Sequence, residues 1–228
     1  MSALSLAQIV IDLPKGMKAV SQLCQAGRND QSLVTKTVLT ESFGGPVLRP
    51  WRIIGQRGRQ LTVLGYTQGL DAAGLKRRLA HSTPALQQSL KIIGNVSVIT
   101  PTQGEIVRFQ LRCVPLVSVT HSRRSLDAYS YARSRWGTAA GMDRAAVYAA
   151  YVRDRLAGAD LETFELEHYE RILMVRRQGN AWSTKRYPHA EFSGRLRVTD
   201  PAAFLQTLAA GVGRMRGYGF GMLRLEAV

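Results

Sequence analysis

Apolar and polar positions alternate in blocks along the chain, and each block predicts an element. Residues 6–13 are almost continuously apolar, with Ile9, Val10 and Ile11 at the centre, and Pro14 stops them. A short run of this kind predicts a strand. Met17, Val20, Leu23 and Cys24 then recur at helical spacing, which predicts a short helix within residues 14–27. Asn29-Asp30 offers a cap for a second helix over 31–43, with Leu33, Val34, Val38 and Leu39 facing inward and Gly44-Gly45-Pro46 ending it. Residues 51–54 and 59–67 read as two strands joined by a turn at Gln56-Arg57-Gly58. A helix capped by Asp71 follows over 71–79, then strands over 90–100 and 105–116, the last with a clean period of two. The order is β-α-β-β-α-β, closing near Pro115. That is the ferredoxin-like, or RNA-recognition-motif-like, arrangement.

The second half is less regular. Residues 121–136 predict a basic helix carrying tyrosines, and its functional reading stands beside that of a solvated surface helix. Residues 143–156 predict a helix with Ala146, Val147, Ala150, Tyr151 and Leu156 on one face. Residues 161–170 are acidic and read as a solvated face. Residues 171–177 and 181–187 predict a basic hairpin around Gln178-Gly179-Asn180, and 190–198 a further strand. A helix capped at Asp200 leads into Gly211-Val212-Gly213-Arg214-Met215-Arg216-Gly217-Tyr218-Gly219-Phe220-Gly221, followed by a last strand. This glycine loop follows a helix rather than preceding one, which excludes a Walker or Rossmann nucleotide loop. Its glycines permit close approach, its amides can form an anion-binding concavity, and Arg214 and Arg216 add charge.

Charge sharpens the picture. The 228 residues carry a formal +15, and 25 arginines stand against six lysines. Such an excess points to a polyanion partner, and arginine suits bidentate contact with phosphate. Two stretches contain no acid at all, residues 42–70 and 171–190. The first holds Arg49, Arg52, Arg57 and Arg59; the second holds Arg171, Arg176, Arg177, Lys185 and Arg186. No apolar run approaches the ~20 residues of a spanning helix, so no membrane role is expected. Cys24 and Cys113 make neither a disulfide framework nor a metal pattern, which predicts a cytoplasmic protein with idle thiols. The four histidines are scattered, no G-x-S-x-G elbow occurs, and we expect no metal and no cofactor. What remains is a surface of glycine, arginine and aromatic residues suited to RNA.

Phe192-Ser193-Gly194-Arg195-Leu196-Arg197-Val198-Thr199-Asp200-Pro201, followed by the glycine loop through Leu223, resembles the CasE-type CRISPR repeat-processing endoribonucleases of the RAMP superfamily. About 30 residues carry the likeness; the 143–156 helix, the 171–177 strand and the opening strand extend it. The resemblance implies an α+β fold of two tandem ferredoxin-like domains, placed here at 1–118 and 119–228. It also implies cleavage of the CRISPR repeat stem-loop without metal, by attack of a 2′-hydroxyl, and retention of the product RNA with other effector-complex subunits. The family carries a tyrosine and a histidine on its first long helix. Here Ser32 and Thr35 align with them, and Lys36 follows. The departure points to a divergent relative, such as the repeat nucleases of type IV systems.

With no histidine at that helix position, we expect a cationic site. Lys36 would stabilise charge or move a proton, Arg28 and Arg214 would flank the same phosphate, and Ser32 and Thr35 complete the candidate set. The expected RNA-binding residues are Arg52, Arg57, Arg59, Arg171, Arg176, Arg177, Lys185 and Arg186, together with Arg123, Arg124, Arg133 and Arg135. On the glycine loop they are Gly211, Gly213, Arg216, Gly217, Tyr218 and Gly219. Two rivals stay open: a repeat-binding subunit without catalysis, and a structural RNA-binding protein.

Overall fold

The computed structural model describes residues 3–24, 27, 30–119, 125–137, 141–178 and 181–226, with the backbone alone at 94–97, 177 and 178. In chain order the elements begin β1 (Leu4–Asp12), α1 (Leu13–Ala19), α2 (Gln31–Phe43), β2 (Trp51–Arg57) and β3 (Gln60–Gln68). They continue α3 (Ala72–Ala80), α4 (Pro84–Ser89), β4 (Leu90–Val98), β5 (Ile106–Cys113), β6 (Leu116–Ser118) and β7 (Ser125–Asp127). The last are α5 (Ala128–Trp136), α6 (Arg144–Arg153), β8 (Ala159–Gln178), β9 (Ala181–Val198), α7 (Pro201–Ala210) and β10 (Leu223–Glu226).

Two four-stranded antiparallel sheets organise these elements, in the orders β2-β3-β1-β4 and β10-β5-β9-β8. Each is the strand order of a ferredoxin-like β-α-β-β-α-β unit, so the fold is α+β with two such units in tandem. One compact unit comprises Met1–Ile99, Leu173–Lys185 and Arg216–Gly219; the other comprises Thr100–Ile172, Arg186–Met215 and Phe220–Val228.

The first unit forms as its pattern predicts. Ala7, Ile9 and Ile11 of β1 are fully buried, and Leu33, Val34, Val38 and Leu39 of α2 join them in one core with Leu61, Val63 and Trp51. Asp30 caps α2 by accepting from the Leu33 amide at 2.9 Å, and Asp71 caps α3 from the Gly74 amide at 2.7 Å. Gly44 ends α2 in the left-handed conformation, at φ 67°.

Several expectations shift. The strand expected over 105–116 pairs with β9 and β10, so β4 rather than β5 completes the first sheet. A period of two marks a strand but not its neighbours. The acidic run 161–170 is part of β8, where Phe164-Glu165-Leu166-Glu167 alternates half-buried and exposed positions. Glu162 pairs with Arg197, and the Ser193 hydroxyl donates to Glu167. On α6 the buried face is Tyr148, Tyr151 and Val152, while Ala146 and Ala150 face outward. The tyrosines bury more apolar area than the alanines, and the Tyr148 hydroxyl donates to Asp127 at 2.8 Å. Leu23 is 47% exposed, off the face predicted for it.

Candidate active site

The first unit concentrates the charge. It contains sixteen of the lysines and arginines but only four acids, Asp12, Asp30, Glu41 and Asp71. Three of those four are spent as helix caps. The second unit holds nearly balanced charge, fifteen cations against twelve acids. Its acids meet its arginines directly, as in Arg112–Glu191, Arg144–Asp127, Arg197–Glu162 and Arg224–Glu226. A polyanion is therefore drawn to the first unit.

Within that unit three predicted residues, far apart in sequence, meet at one ring. Lys36 extends from α2, Tyr218 comes from the glycine loop and Arg176 from β8. The Lys36 ammonium donates to the Tyr218 hydroxyl at 3.3 Å and lies 4.4 Å from the ring centroid. The Arg176 guanidinium lies 6.0 Å from the same centroid. Residues 216–218 form a short 3-10 turn, and Tyr218 packs on the first unit's core. Gly219 holds that turn down: at φ 87°, the Cβ of any other residue would lie 2.7 Å from the Trp51 ring. Two cations around one aromatic ring make a site for negative charge.

Beside Lys36 opens a cleft of about 70 Å³, bordered by Lys36, Thr40, Gly45, Arg49, Trp51 and Gly217 among others. Gly45 and Gly217 leave open space where a side chain would stand. Arg49, Trp51 and Gly45 were not singled out from the sequence as site residues. The missed signal was the glycines at 44–45, read only as a helix stop.

The remaining candidates fall in different places. Ser32 is half-buried one turn before Lys36 on the same face of α2. Thr35, the position aligned with the family's histidine, is fully buried, and its hydroxyl has no hydrogen-bond partner among the described residues. It faces the core and cannot touch a phosphate, because α2 turns its 33-34-35-38-39 stripe inward. Replacing Thr35 by Val should keep cutting unchanged and leave stability equal or higher by up to about 1 kcal/mol, read by thermal melting, because an unpaired buried hydroxyl is removed. Arg214 belongs to the second unit, where it donates to the Ser118 hydroxyl, not to a carboxylate.

The loop's amides do not all face a ligand. Those of Val212, Arg214 and Gly221 bond to the carbonyls of Gly221, Val114 and Arg112. Gly211, at φ 71°, ends α7, and Gly213 sits where a Cβ would be 2.5 Å from the Cys113 sulfur. Both glycines are therefore structural in the second unit. Arg52 and Arg216 are half-buried in the first unit, and Arg57 and Arg59 flank the exposed β2–β3 turn. Lys185 is exposed in the first unit; Arg133, Arg135, Arg171 and Arg186 are exposed in the second. Arg28, Arg123 and Arg124 lie outside the described residues, as does the Arg177 side chain.

The second unit hides one satisfied histidine. His189 is 2% exposed; its Nε2 accepts from the Arg112 Nε at 2.9 Å, and its Nδ1 lies 3.0 Å from Glu170. Arginine only donates, so the proton sits on Nδ1. The bond from His189 holds the Glu170 carboxyl below its ordinary range. Both cysteines are free and buried, and burial pushes the Cys113 thiol up to about 12. Among the described residues no group of three histidine, cysteine or acidic side chains could hold a metal, and no helix is long and apolar enough to cross a membrane.

The family model described as CRISPR associated protein matches residues 31–226. The chain belongs to the CRISPR associated protein family. Its fold is shared with solved family structures. A CRISPR endoribonuclease Cse3 bound to 19-nucleotide RNA superposes with a TM-score of 0.67 at 18% identity, covering 99% of this chain and 100% of that one. Cas6e from Escherichia coli K-12 gives 0.61 at 16% identity over 98% and 100%. A chain of a CRISPR RNA-guided surveillance complex gives 0.55 at 17% identity over 98% and 100%. No curated protein sequence matches this CRISPR-associated chain.

Proposed function

We propose that this CRISPR-associated protein binds the repeat stem-loop of precursor CRISPR RNA and cuts it without metal, by attack of a 2′-hydroxyl on the adjacent phosphorus. The observation that carries the reading is the meeting of Lys36, Arg176 and Tyr218 beside a glycine-bordered cleft. In the cut, the 2′-oxygen loses its proton and bonds to phosphorus, the bond to the 5′-oxygen breaks, and that oxygen takes up a proton. The products end in a 2′,3′-cyclic phosphate and a 5′-hydroxyl. The chain's part is to hold the strand in line and to neutralise charge on the phosphorane. Lys36 has two further ammonium protons beyond the one shared with Tyr218, enough to reach a phosphate oxygen. In this reading Arg28 adds charge beside Lys36, and Arg214 of the second unit adds charge for the bound RNA. The exposed cations of the basic hairpin and of α5 grip the duplex by shape and phosphate contact.

Metal independence is supported by the donors available, since three of the first unit's four acids are occupied as caps. The likeness to a chain of an RNA-guided surveillance complex supports retention of the cut RNA with other effector subunits. The test is to incubate cognate repeat RNA with the protein in EDTA and to identify the product ends. A 2′,3′-cyclic phosphate is expected; intact RNA, or cutting only with added metal, overturns the reading. Affinity should also fall about 10³- to 10⁵-fold between 50 and 200 mM salt for a protein meeting 6–10 phosphates, measured by filter binding.

One observation favours a second reading. The aligned Ser32 and Thr35 supply no imidazole, and Thr35 is buried. A subunit that holds the repeat without cutting it would show hairpin-selective binding and no product in the same assay.

A further inference from the structure

We propose that Tyr218 is a positioning residue that aims Lys36 at the scissile phosphate, an inference that rests on the endonuclease reading above. A lysine ammonium rides on a flexible four-carbon stem and, left alone, samples many positions. A histidine on a helix needs far less restraint. A lysine working in its stead has to be fixed by something else, and Tyr218 supplies that restraint twice. Its hydroxyl accepts one ammonium proton at 3.3 Å, and its ring presents its electron-rich face with the centroid at 4.4 Å.

The ring is itself held. Tyr218 is half-buried against the core of the first unit. The next residue, Gly219, lies flat on Trp51, which is 2% exposed. The acceptor is therefore a fixed point rather than a second flexible chain. Trp51 and Gly219 fix Tyr218, Tyr218 fixes the Lys36 ammonium, and Gly217 keeps the adjoining cleft open. This gives the aromatic of the glycine loop a role apart from stacking on a base.

The test is a double-mutant cycle on single-turnover cutting of repeat RNA, with affinity measured in parallel. Y218L should slow cutting about 10- to 100-fold with little change in affinity, because misplacing a reacting group by about 1 Å costs that much. Y218F, which keeps the ring face and loses the acceptor, should fall between. In a K36A background, Y218L should cost nothing further. A base-stacking or merely structural tyrosine would lose affinity or stability and cost the same factor in both backgrounds, which overturns the positioning role alone. A wild-type protein that leaves the repeat uncut overturns the endonuclease reading and this one with it. A readout independent of cutting is the proton shift of the Lys36 side chain. The ring-current displacement should persist in Y218F and vanish in Y218L; its absence from wild type overturns the proposal.

Discussion

Replacing Lys36 by Ala is expected to slow single-turnover cutting of the cognate repeat by about 10²- to 10⁴-fold, the span of a lost acid–base group or fixed cation at the reacting phosphate. Affinity for the same RNA should fall by less than about tenfold, because one cation of many leaves the electrostatic attraction nearly intact. The separation of the two effects is the diagnostic part. Lys36 sits in a unit with sixteen cations, so a residue that only added charge would be nearly redundant there. A residue placed at the reacting phosphate would not be. Arg28→Ala and Arg214→Ala measured beside it show whether those two contribute to cutting or only to binding. Unchanged cutting in all three variants would reject the cationic site.

Replacing Gly219 by Ala should destabilise the first unit by about 2–5 kcal/mol and abolish cutting. The residue sits at φ 87°, where a side chain costs about 1–2 kcal/mol of backbone strain. The added Cβ would also lie 2.7 Å from a ring carbon of Trp51, a buried side chain with little room to shift. Overpacking of that kind costs about 1–3 kcal/mol. For a chain of this size, the melting temperature should drop by roughly 4–20 °C. Gly217→Ala is the contrast. Nothing lies within 4 Å of the Cβ it would gain, so stability should hold, while the methyl group narrows the cleft beside Lys36 and weakens RNA binding. Equal melting of G219A and wild type would show that the loop is not seated on Trp51.

Much of this was legible along the chain because it is local. The caps at Asp30 and Asp71, the inward stripe of α2 and the opening strand each follow from spacing within a dozen residues. The glycine loop was legible for a different reason. Its density of glycine and arginine survives only where the backbone or a ligand demands it, and the same residues carried the resemblance to the repeat nucleases.

What the residues around α2 meant was less legible. Alignment set Thr35 in the place of a histidine, but helix periodicity turns that position into the core. Lys36, one residue on, is rotated by about 100° and comes out half-buried beside the loop. The acidic stretch of β8 misled in the same way. Its charges suggested an isolated solvated face, and only pairing with β9 showed that they balance Arg197 and bond Ser193 and His189.

The sequence by itself determined the first ferredoxin-like order, the basic character, the caps and the loop, because periodicity, charge and turn chemistry act over short separations. The tertiary structure alone decided which strand completes each sheet, which arginines are already paired, and that residues 36, 176 and 218 share one ring. The strand partners and the shared ring depend on contacts between distant segments, 182 residues apart for Lys36 and Tyr218, and nothing in a local pattern records which distant side chain will arrive.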